Sequence, residues 1–231
     1  MATRAELDRL VRALNRISGR AEADLRALLA SVDPEDRRAV KRALDVVYPE
    51  LVAVYGAATA ALGADMVEAW AADMAIRPTV ALAEPVTARQ AQGIADWALT
   101  QPDWRGQLDI ITDEVVKQPF RDTVQDSAKA SRAAWARVPT GPTTCAFCVM
   151  TASRGAVYHT AQSAGSDRKY HGKCDCQVVM VRGPEDYPEG YNPAELFDIY
   201  DTGHSIAKSE GHARPTTKQI LAGMRKAEGL N

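Results

Sequence analysis

The cysteines of this chain are confined to one short window, and that window constrains the fold more than any other feature. All four lie between residues 145 and 176, arranged as Cys145-Ala-Phe-Cys148 and His171-Gly-Lys-Cys174-Asp-Cys176. Two pairs of thiol or imidazole groups, each at a spacing of three residues, are typical of a tetrahedral Zn²⁺ site. The window therefore predicts two turns that are tied together by a structural zinc ion.

The spacing does not decide which four of these five side chains bind the metal. Knuckle geometry favours Cys145, Cys148, His171 and Cys174. Residues i and i+2 of a strand face the same side, so Cys176 is the alternate ligand, in place of Cys174 or His171. Disulfides and inert buried thiols are the competing interpretations. A catalytic zinc is not favoured, because the chain has no H-E-x-x-H or H-x-E…C-x-x-C motif.

Charge and hydropathy narrow the functional classes. The chain has 231 residues with 28 basic and 30 acidic side chains, for a net charge of −2. A dedicated nucleic-acid-binding protein would carry a basic excess. No uncharged apolar run reaches 18 residues, so we expect no transmembrane helix. The first residues, MATRAELDRL, do not resemble a signal peptide,. We therefore expect a reducing cytoplasm, where clustered cysteines more often bind metal than form disulfides.

The first 137 residues carry apolar side chains at spacings of three and four, which is the period of an α-helix. The first such stripe is Leu7, Leu10, Val11, Leu14 and Ile17. We expect helices over residues 4–31, 34–74, 88–101 and 107–137. Asp33 is the expected N-cap of the second helix and Thr87 that of the third. Pro49 and Pro119 are expected to bend the helices that contain them.

The character of the chain changes at Val138-Pro139-Thr140-Gly141-Pro142, a turn-rich break,. We expect a helical domain over residues 1–137, a zinc-knuckle module over 138–182, and a loop and helix extension over 183–231. Short strands are expected at 156–158 and 177–181, and helices at 194–201 and 216–227. The fold class is thus α+β, mainly α, with an N-terminal helical bundle followed by a small zinc-knuckle module.

The window also resembles a known family. The string runs from Arg137 through Cys145-Ala-Phe-Cys148 and Ser153-Arg-Gly-Ala-Val-Tyr158 to Tyr170-His-Gly-Lys-Cys-Asp-Cys176. It is similar to the signature of phage minor head proteins of the Mu F-like head morphogenesis family, especially the forms in tailed phages of actinobacteria. Carried over by position, the metal ligands of that family match Cys145, Cys148, His171 and the Cys174/Cys176 pair.

The resemblance implies a structural, portal-associated minor head protein that acts in head assembly and in DNA packaging or ejection. It further implies several copies per virion inside the head near the portal vertex, with the host cytoplasm as the site of assembly. The portal protein is the expected partner, with the major capsid protein and packaged DNA as further partners and no membrane. No enzymatic activity is expected.

Two alternative functions follow from other residues. Asp201-Thr202-Gly203 spells the short signature of aspartic proteases, which would make the chain a capsid maturation protease, but a dyad needs two such carboxylates and a turn is the simpler interpretation. Basic side chains around the window would instead suit a zinc-dependent DNA-binding module. They are Arg154, Arg168, Lys169, Lys173 and Arg182. Trp97 and Trp104 are both expected as core anchors, and Trp104 is also a candidate exposed contact.

Overall fold

The computed structural model describes residues 2–141, 144–156, 170 and 173–230. Four long or medium helices form the first part of the chain. They are α1 (Arg4–Ala30), α2 (Arg37–Asp73), α3 (Ala88–Leu99) and α4 (Trp104–Ala130). The predicted helices are therefore present, and the expected mainly helical fold is confirmed.

Side-chain caps explain where these helices begin. Thr3 and Thr87 form capping boxes with Glu6 and Gln90 at the starts of α1 and α3,. The N-cap of α2 is Asp36, whose carboxylate accepts from the amides of Arg38 and Ala39. The prediction of Asp33 was wrong by one turn, because the Asp-Pro-Glu-Asp run offers two acids of equal capping chemistry and Pro34 does not start the helix.

Neither of the internal prolines ends its helix. Pro49 lies inside α2 and Pro119 inside α4, and both helices continue on either side. A proline costs the helix one backbone hydrogen bond. Packing compensates here, since Gly56 of α2 has no side chain and lies against Pro119. α2 and α4 thus remain continuous core helices.

The four helices enclose two apolar clusters. One cluster joins the end of α1 to the start of α2, to α3 and to the first half of α4, with Leu25, Leu44, Tyr48 and Leu108 at its centre. The other cluster joins the start of α1, the end of α2 and the end of α4 to the residues that follow α4. Trp104 is 7% exposed and Trp97 is 49% exposed. The core interpretation of Trp104 is therefore confirmed and that of Trp97 is wrong, because the face of the helix on which a residue lies decides its burial.

A two-stranded antiparallel sheet covers the second cluster. Strands β1 (Ala134–Val138) and β2 (Gln177–Val181) pair with Trp135 opposite Met180 and Arg137 opposite Val178. The fourth helix was expected to reach residue 137, but Arg132 adopts a left-handed conformation (φ 55°) and the chain turns into β1. The partner of β1 lies about 40 residues later, so no local pattern could reveal the pairing. All ten strand residues are buried.

Shorter helices complete the fold. They are α5 (Ala146–Ala152), a 3₁₀ turn (Pro184–Asp186), α6 (Pro193–Ser209) and α7 (Thr217–Glu228). Helices α6 and α7 approach so closely at Gly203 that an added Cβ would lie 2.8 Å from the backbone nitrogen of Met224. This pair packs on α5 through Val149, Met150 and Ile220. The helix expected at 194–201 is therefore longer than predicted.

The structure does not test two of the expectations from the sequence. The division into residues 1–137, 138–182 and 183–231 stays a prediction, and the strand expected at 156–158 lies mostly outside the described residues.

By length and composition, α2 is the one described helix that could cross a membrane, with a mean hydropathy of 1.3 over its most apolar 18-residue window. Core helices of soluble proteins pass the same test, and 39% of this window is buried.

Candidate metal centre

Three cysteine sulfurs converge beside the sheet. Cys148 lies on α5, and Cys174 and Cys176 lie in the segment that leads into β2. The three sulfurs and a carboxylate oxygen of Asp175 all lie within 4.8 Å of one another. Zn–S bonds of about 2.3 Å in a tetrahedron place sulfurs about 3.8 Å apart. The cluster therefore has the size and the donor chemistry of a thiolate metal site.

These thiols are not bonded to one another. Cys148 Sγ lies 3.3 Å from Cys174 Sγ, whereas a disulfide bond measures about 2.05 Å. All four cysteines are free. The disulfide interpretation is therefore not supported by this structure, and the cluster is a set of thiols that could hold a metal ion.

Cys145 lies next to the three converging sulfurs. It is the N-cap of α5, and its sulfur accepts a hydrogen bond from the Cys148 amide at 3.4 Å. The Cys148 thiol also interacts with that of Cys145. A knuckle with this amide-to-sulfur bond holds its two sulfurs on the same side of the turn, so Cys145 remains a candidate ligand.

Asp175 was not among the predicted ligands, and its contacts favour a different role. One carboxylate oxygen accepts from the Gly141 amide and the Thr144 hydroxyl, both at 3.0 Å. Its backbone carbonyl accepts from the Thr140 hydroxyl. Burial raises the pKa of this carboxyl group, so its ionised form is disfavoured,. These bonds anchor the segment after β1 to the second knuckle.

His171 lies outside the described residues, so the structure places four of the five predicted ligand residues. Cys148, Cys174 and Cys176 come together, and Cys145 adjoins them. The fourth ligand of a tetrahedral site would be Cys145, His171 or Asp175.

Two buried arginines surround the thiols. The Arg137 side chain lies 3.8 Å from Cys148 Sγ and 3.7 Å from Cys174 Sγ. The guanidinium groups of Arg137 and Arg121 lie 3.8 and 4.0 Å from the ring centroid of Tyr170. Both arginines are at most 1% exposed. Two buried cations beside thiols indicate that the thiols carry negative charge, as metal-bound thiolates do.

The pKa shifts differ among the three thiols: hydrogen bonds with Cys145 and Cys174 raise the pKa of Cys148, and burial raises that of Cys176. Hydrogen bonds from Cys148 and Cys176 hold the pKa of Cys174 far below its usual value, and the charges of Arg137 and Arg121 lower it further. Burial acts to lower the pKa of Arg137, but Tyr170 and the cysteines raise it overall. Cys174 is therefore a thiolate beside a permanently charged guanidinium, and a thiolate is the form that binds metal.

A buried ion pair clamps the second knuckle to the helical body. Lys117 Nζ lies 2.6 Å from Asp113 Oδ1, and the Ser18 hydroxyl donates to the same oxygen at 2.9 Å. The other oxygen of Asp113 accepts from the backbone amide of Lys173 at 3.0 Å. The Lys173 ammonium pairs with Glu22 of α1. These groups line a polar cavity of about 450 Å³ next to Cys174.

The remaining candidate residues are not part of the thiol cluster. Asp201-Thr202-Gly203 is part of α6, not a turn as expected, and Thr202 donates to the carbonyl of Asp198. The low helix propensity of glycine favoured a turn at this position. Gly203 nevertheless lies in a helix, because the close contact with α7 requires a residue without a side chain. Of the basic residues, Lys173 pairs with Glu22, and Arg182 forms two bonds to Asp186 at 2.8 and 3.0 Å.

The sequence analysis did not find Arg121, Asp113 or Lys117. All three lie on α4 and are at most 5% exposed. A signal was present, because charged residues at positions 113, 117 and 121 follow a spacing of four along one face of the helix. Such a stripe usually indicates a solvated face, so its burial could be known only from the structure.

Known proteins resemble this chain over much of its length. A family model described as VG15 protein matches residues 1–203. The Gene 15 protein of Mycobacterium phage D29 is 28% identical over 125 residues, which cover 40% of this chain and 46% of that protein. The match therefore spans less than half the length of this relative. No solved structure gives a significant match.

Proposed function

The chain belongs to the VG15 protein family, a phage protein family, and from this premise we propose that it is a structural minor head protein of a tailed phage. In this proposal it associates with the portal in several copies, inside the head near the portal vertex. It is assembled in the host cytoplasm, with the major capsid protein and packaged DNA as further neighbours. The resemblance of the cysteine window to the Mu F-like head morphogenesis family supports the head assignment.

We further propose that the cysteine cluster holds one structural Zn²⁺. The observation that carries this proposal is the convergence of Cys148, Cys174 and Cys176 within 4.8 Å, beside two buried arginines. Soft thiolate donors favour zinc over magnesium or calcium. Cys148, Cys174 and Cys176 would hold the ion, with Cys145 or His171 as the fourth ligand. Bound there, zinc would supply a structural cross-link between α5 and β2.

The ion would add a cross-link to a part of the chain whose apolar side chains pack on the helical body. A structural zinc contributes on the order of 10 kcal/mol to the folding of a small module. The thiols it would join lie 26 residues apart, at Cys148 and Cys174. We therefore assign the centre a structural role and propose no catalytic activity for the chain.

Ion pairs favour this structural role over DNA binding by the metal module. Lys173 and Arg182, two of the basic residues around the window, are paired with carboxylates of Glu22 and Asp186. Phosphate contacts would have to compete with these pairs. The Lys173–Glu22 pair joins the thiol segment to α1, and the Arg182–Asp186 pair is local to the turn after β2.

Metal analysis and chemical cross-linking of intact virions test the zinc site and the location near the portal separately. We expect one zinc ion per copy of the chain, and cross-links from its lysines to the portal protein. Virions that carry Cys148→Ser would lose the zinc, whereas Ser153→Ala serves as a control in the same window. Cross-links only to tail proteins would refute the location, and a full set of thiols without bound metal in purified protein would refute the zinc.

A further inference from the structure

The solvent-facing side of α1 carries a row of arginines. Their positions differ by three or four residues, so at about 100° per residue they fall within about 80° of one another around the helix. The buried residues of α1, among them Leu7, Leu14 and Leu25, lie on the opposite side. At 1.5 Å per residue the row is about 16 Å long. We call these four residues the arginine row: Arg9, Arg12, Arg16 and Arg20.

Every member of the arginine row is exposed. The side chains of Arg9 and Arg20 are 65% and 70% accessible to solvent. The other positions on this side of α1 are small, and they are Ala5, Gly19, Ala23 and Ala27. This side of the helix therefore presents positive charge without an acidic or a large apolar side chain of its own.

The two arginines at the centre of the row have no partner within the described parts of the chain. At the ends of the row, Arg9 and Arg20 lie 3.9 and 3.1 Å from carboxylate oxygens of α1. Neither Arg12 nor Arg16 forms an ion pair or a side-chain hydrogen bond with any described residue. Their guanidinium groups are therefore available to an anion outside the chain.

The composition of the row suits a phosphate backbone better than a protein surface. A guanidinium group binds phosphate oxygens through two parallel hydrogen bonds, and arginines clustered along a helix are the electrostatic footprint of nucleic-acid binding. A protein partner would need an apolar core in the interface. Here only alanine and glycine lie between the arginines, and such small residues let a chain of phosphates approach the helix closely.

We propose that the arginine row binds the phosphate backbone of double-stranded DNA, independently of its sequence. The proposal rests on the proposed function, because a location inside the head places the chain beside packaged DNA. Each strand of B-DNA has one phosphate per 3.4 Å of helix axis, so about five phosphates of one strand fall within the length of the row. Four guanidinium groups thus meet a similar number of negative charges.

The net charge of −2 is compatible with this local contact. The Debye length at physiological ionic strength is about 8 Å, so distant acidic residues are largely screened from the DNA. The nearest acids of α1, Glu6 and Asp24, lie at the two ends of the row, and Asp24 also accepts a hydrogen bond from Tyr55 of α2. The binding consists of ionic contacts and therefore depends strongly on salt.

Fluorescence anisotropy of a labelled DNA duplex with purified full-length protein tests the proposal. The logarithm of the association constant should fall with the logarithm of the salt concentration with a slope of about −3.6, since each of four phosphate contacts contributes about −0.9. Affinity should therefore fall by about 150-fold between 50 and 200 mM salt. Two duplexes of unrelated sequence should bind equally.

Substitutions at the centre of the row locate the contact. Arg12→Gln with Arg16→Gln should lower affinity at 50 mM salt by about tenfold or more and reduce the slope to about −1.8, because two contacts are lost. Arg12→Lys with Arg16→Lys keeps both charges and should keep the slope. Arg38→Gln with Arg42→Gln is the matched control, since it removes two exposed arginines at the same spacing from α2 and should bind as the wild type does.

Three results would overturn the proposal. They are a wild type that does not bind DNA at 50 mM salt and about 100 μM protein, a glutamine variant of the row that binds as well as the wild type, and an equal loss in the α2 control. If the glutamine variant lost a cross-link to an acidic virion protein but bound DNA normally, the row would belong to that protein instead. Cross-links of the virion protein to the tail alone would refute the head assignment and leave these DNA measurements unchanged.

Discussion

The guanidinium group of Arg137 lies 3.7 Å from the sulfur of Cys174, and both side chains are almost fully excluded from water. A permanent cation beside a thiolate offsets part of the negative charge that three or four thiolates bring to a divalent ion. Arg137 also occupies β1 and so fixes the position of the thiols relative to the sheet. The electrostatics of the site thus depend on a residue that is not itself a ligand.

Arg137→Met keeps the volume of the side chain and removes the charge. We expect zinc affinity to fall by about 10- to 100-fold, the usual effect of removing a group that supports metal ligands. Competition with a chromophoric chelator measures this affinity. Arg89→Met, at an exposed position on α3, is the control. Equal affinity of Arg137→Met and wild type would show that the guanidinium does not balance the thiolates.

Serine substitutions should separate central from peripheral ligands. Cys148→Ser, Cys174→Ser and Cys176→Ser should each abolish stoichiometric zinc, because these three sulfurs form the converged cluster. Cys145→Ser and His171→Ala distinguish the fourth ligand, and one of the two should also lose the metal. Elemental analysis of purified variants measures this. If both retained full zinc, Asp175 would be the remaining candidate.

Metal removal should act locally before it acts globally. We expect chelation in mild denaturant to make residues 140–180 sensitive to protease, whereas α1–α4 keep their helical circular dichroism. The first apolar cluster lies wholly within α1–α4 and the segments between them, so it does not depend on the metal, whereas the second cluster is shared with the thiol segment,. Limited proteolysis with mass spectrometry maps the cleavage sites. Unchanged resistance of this segment after complete removal of metal would contradict a structural zinc.

The Asp113–Lys117 pair should determine part of the dependence of the free energy of unfolding on pH in acid. Burial acts to raise the pKa of Asp113, but Lys117 outweighs it and the pKa lies below its ordinary 3.8. A carboxyl group with a lowered pKa in the folded state stabilises fully above its unfolded pKa and less as pH falls through the folded value. Burial also lowers the pKa of Lys117, which nevertheless stays protonated in acid.

Asp113→Asn should therefore lower the free energy of unfolding by about 3 kcal/mol at neutral pH, since it leaves the Lys117 charge buried and unpaired. The deficit should shrink as pH falls below 3.8, where the wild type also loses this carboxylate. Denaturant unfolding over a pH series measures both effects. Asp109→Asn, at a more exposed pair with Arg26, should change stability by less than about 1 kcal/mol,. A deficit that is constant down to pH 2 would contradict the assignment.

Two glycines test the contact between α6 and α7. Gly203→Ala would place a Cβ 2.8 Å from the backbone nitrogen of Met224. We expect a loss of about 1–3 kcal/mol in the free energy of unfolding, because two helix backbones must separate. Gly93→Ala, inside α3 with nothing within 4 Å of its Cβ, should stabilise the chain by up to about 1 kcal/mol,. Thermal unfolding compares the two variants, and equal effects would refute the close contact.

Local patterns predicted the helical part of the fold well. The stripe that begins at Leu7 and the cap at Thr87 depend on residues only a few positions apart, and α1 contains that stripe while α3 begins at that cap. The sequence could not place residues 131–137. Strand β1 exists because it pairs with β2 more than 35 residues later, and such pairing leaves no local period,.

The candidate site, too, could be predicted from the sequence only in part. The spacing of the cysteines alone indicated a metal site, since a metal knuckle is a local turn. The residues that surround them come from three separate elements: Arg121 from α4, Arg137 from β1 and Tyr170 from the second half of the window. Only the fold brings those side chains together. Their charge and aromatic character gave no indication of the contact.

The clamp at Lys173 has a consequence for synthesis of the chain on the ribosome. Glu22 meets its partner Lys173 only 151 residues later, and Asp113 receives the Lys173 amide 60 residues later. A nascent chain that has just released α4 already pairs Asp113 with Lys117, whereas Glu22 has yet to meet Lys173. Emergence of the second knuckle supplies that cation, so the order of translation has the helical body in place before the thiol cluster is completed.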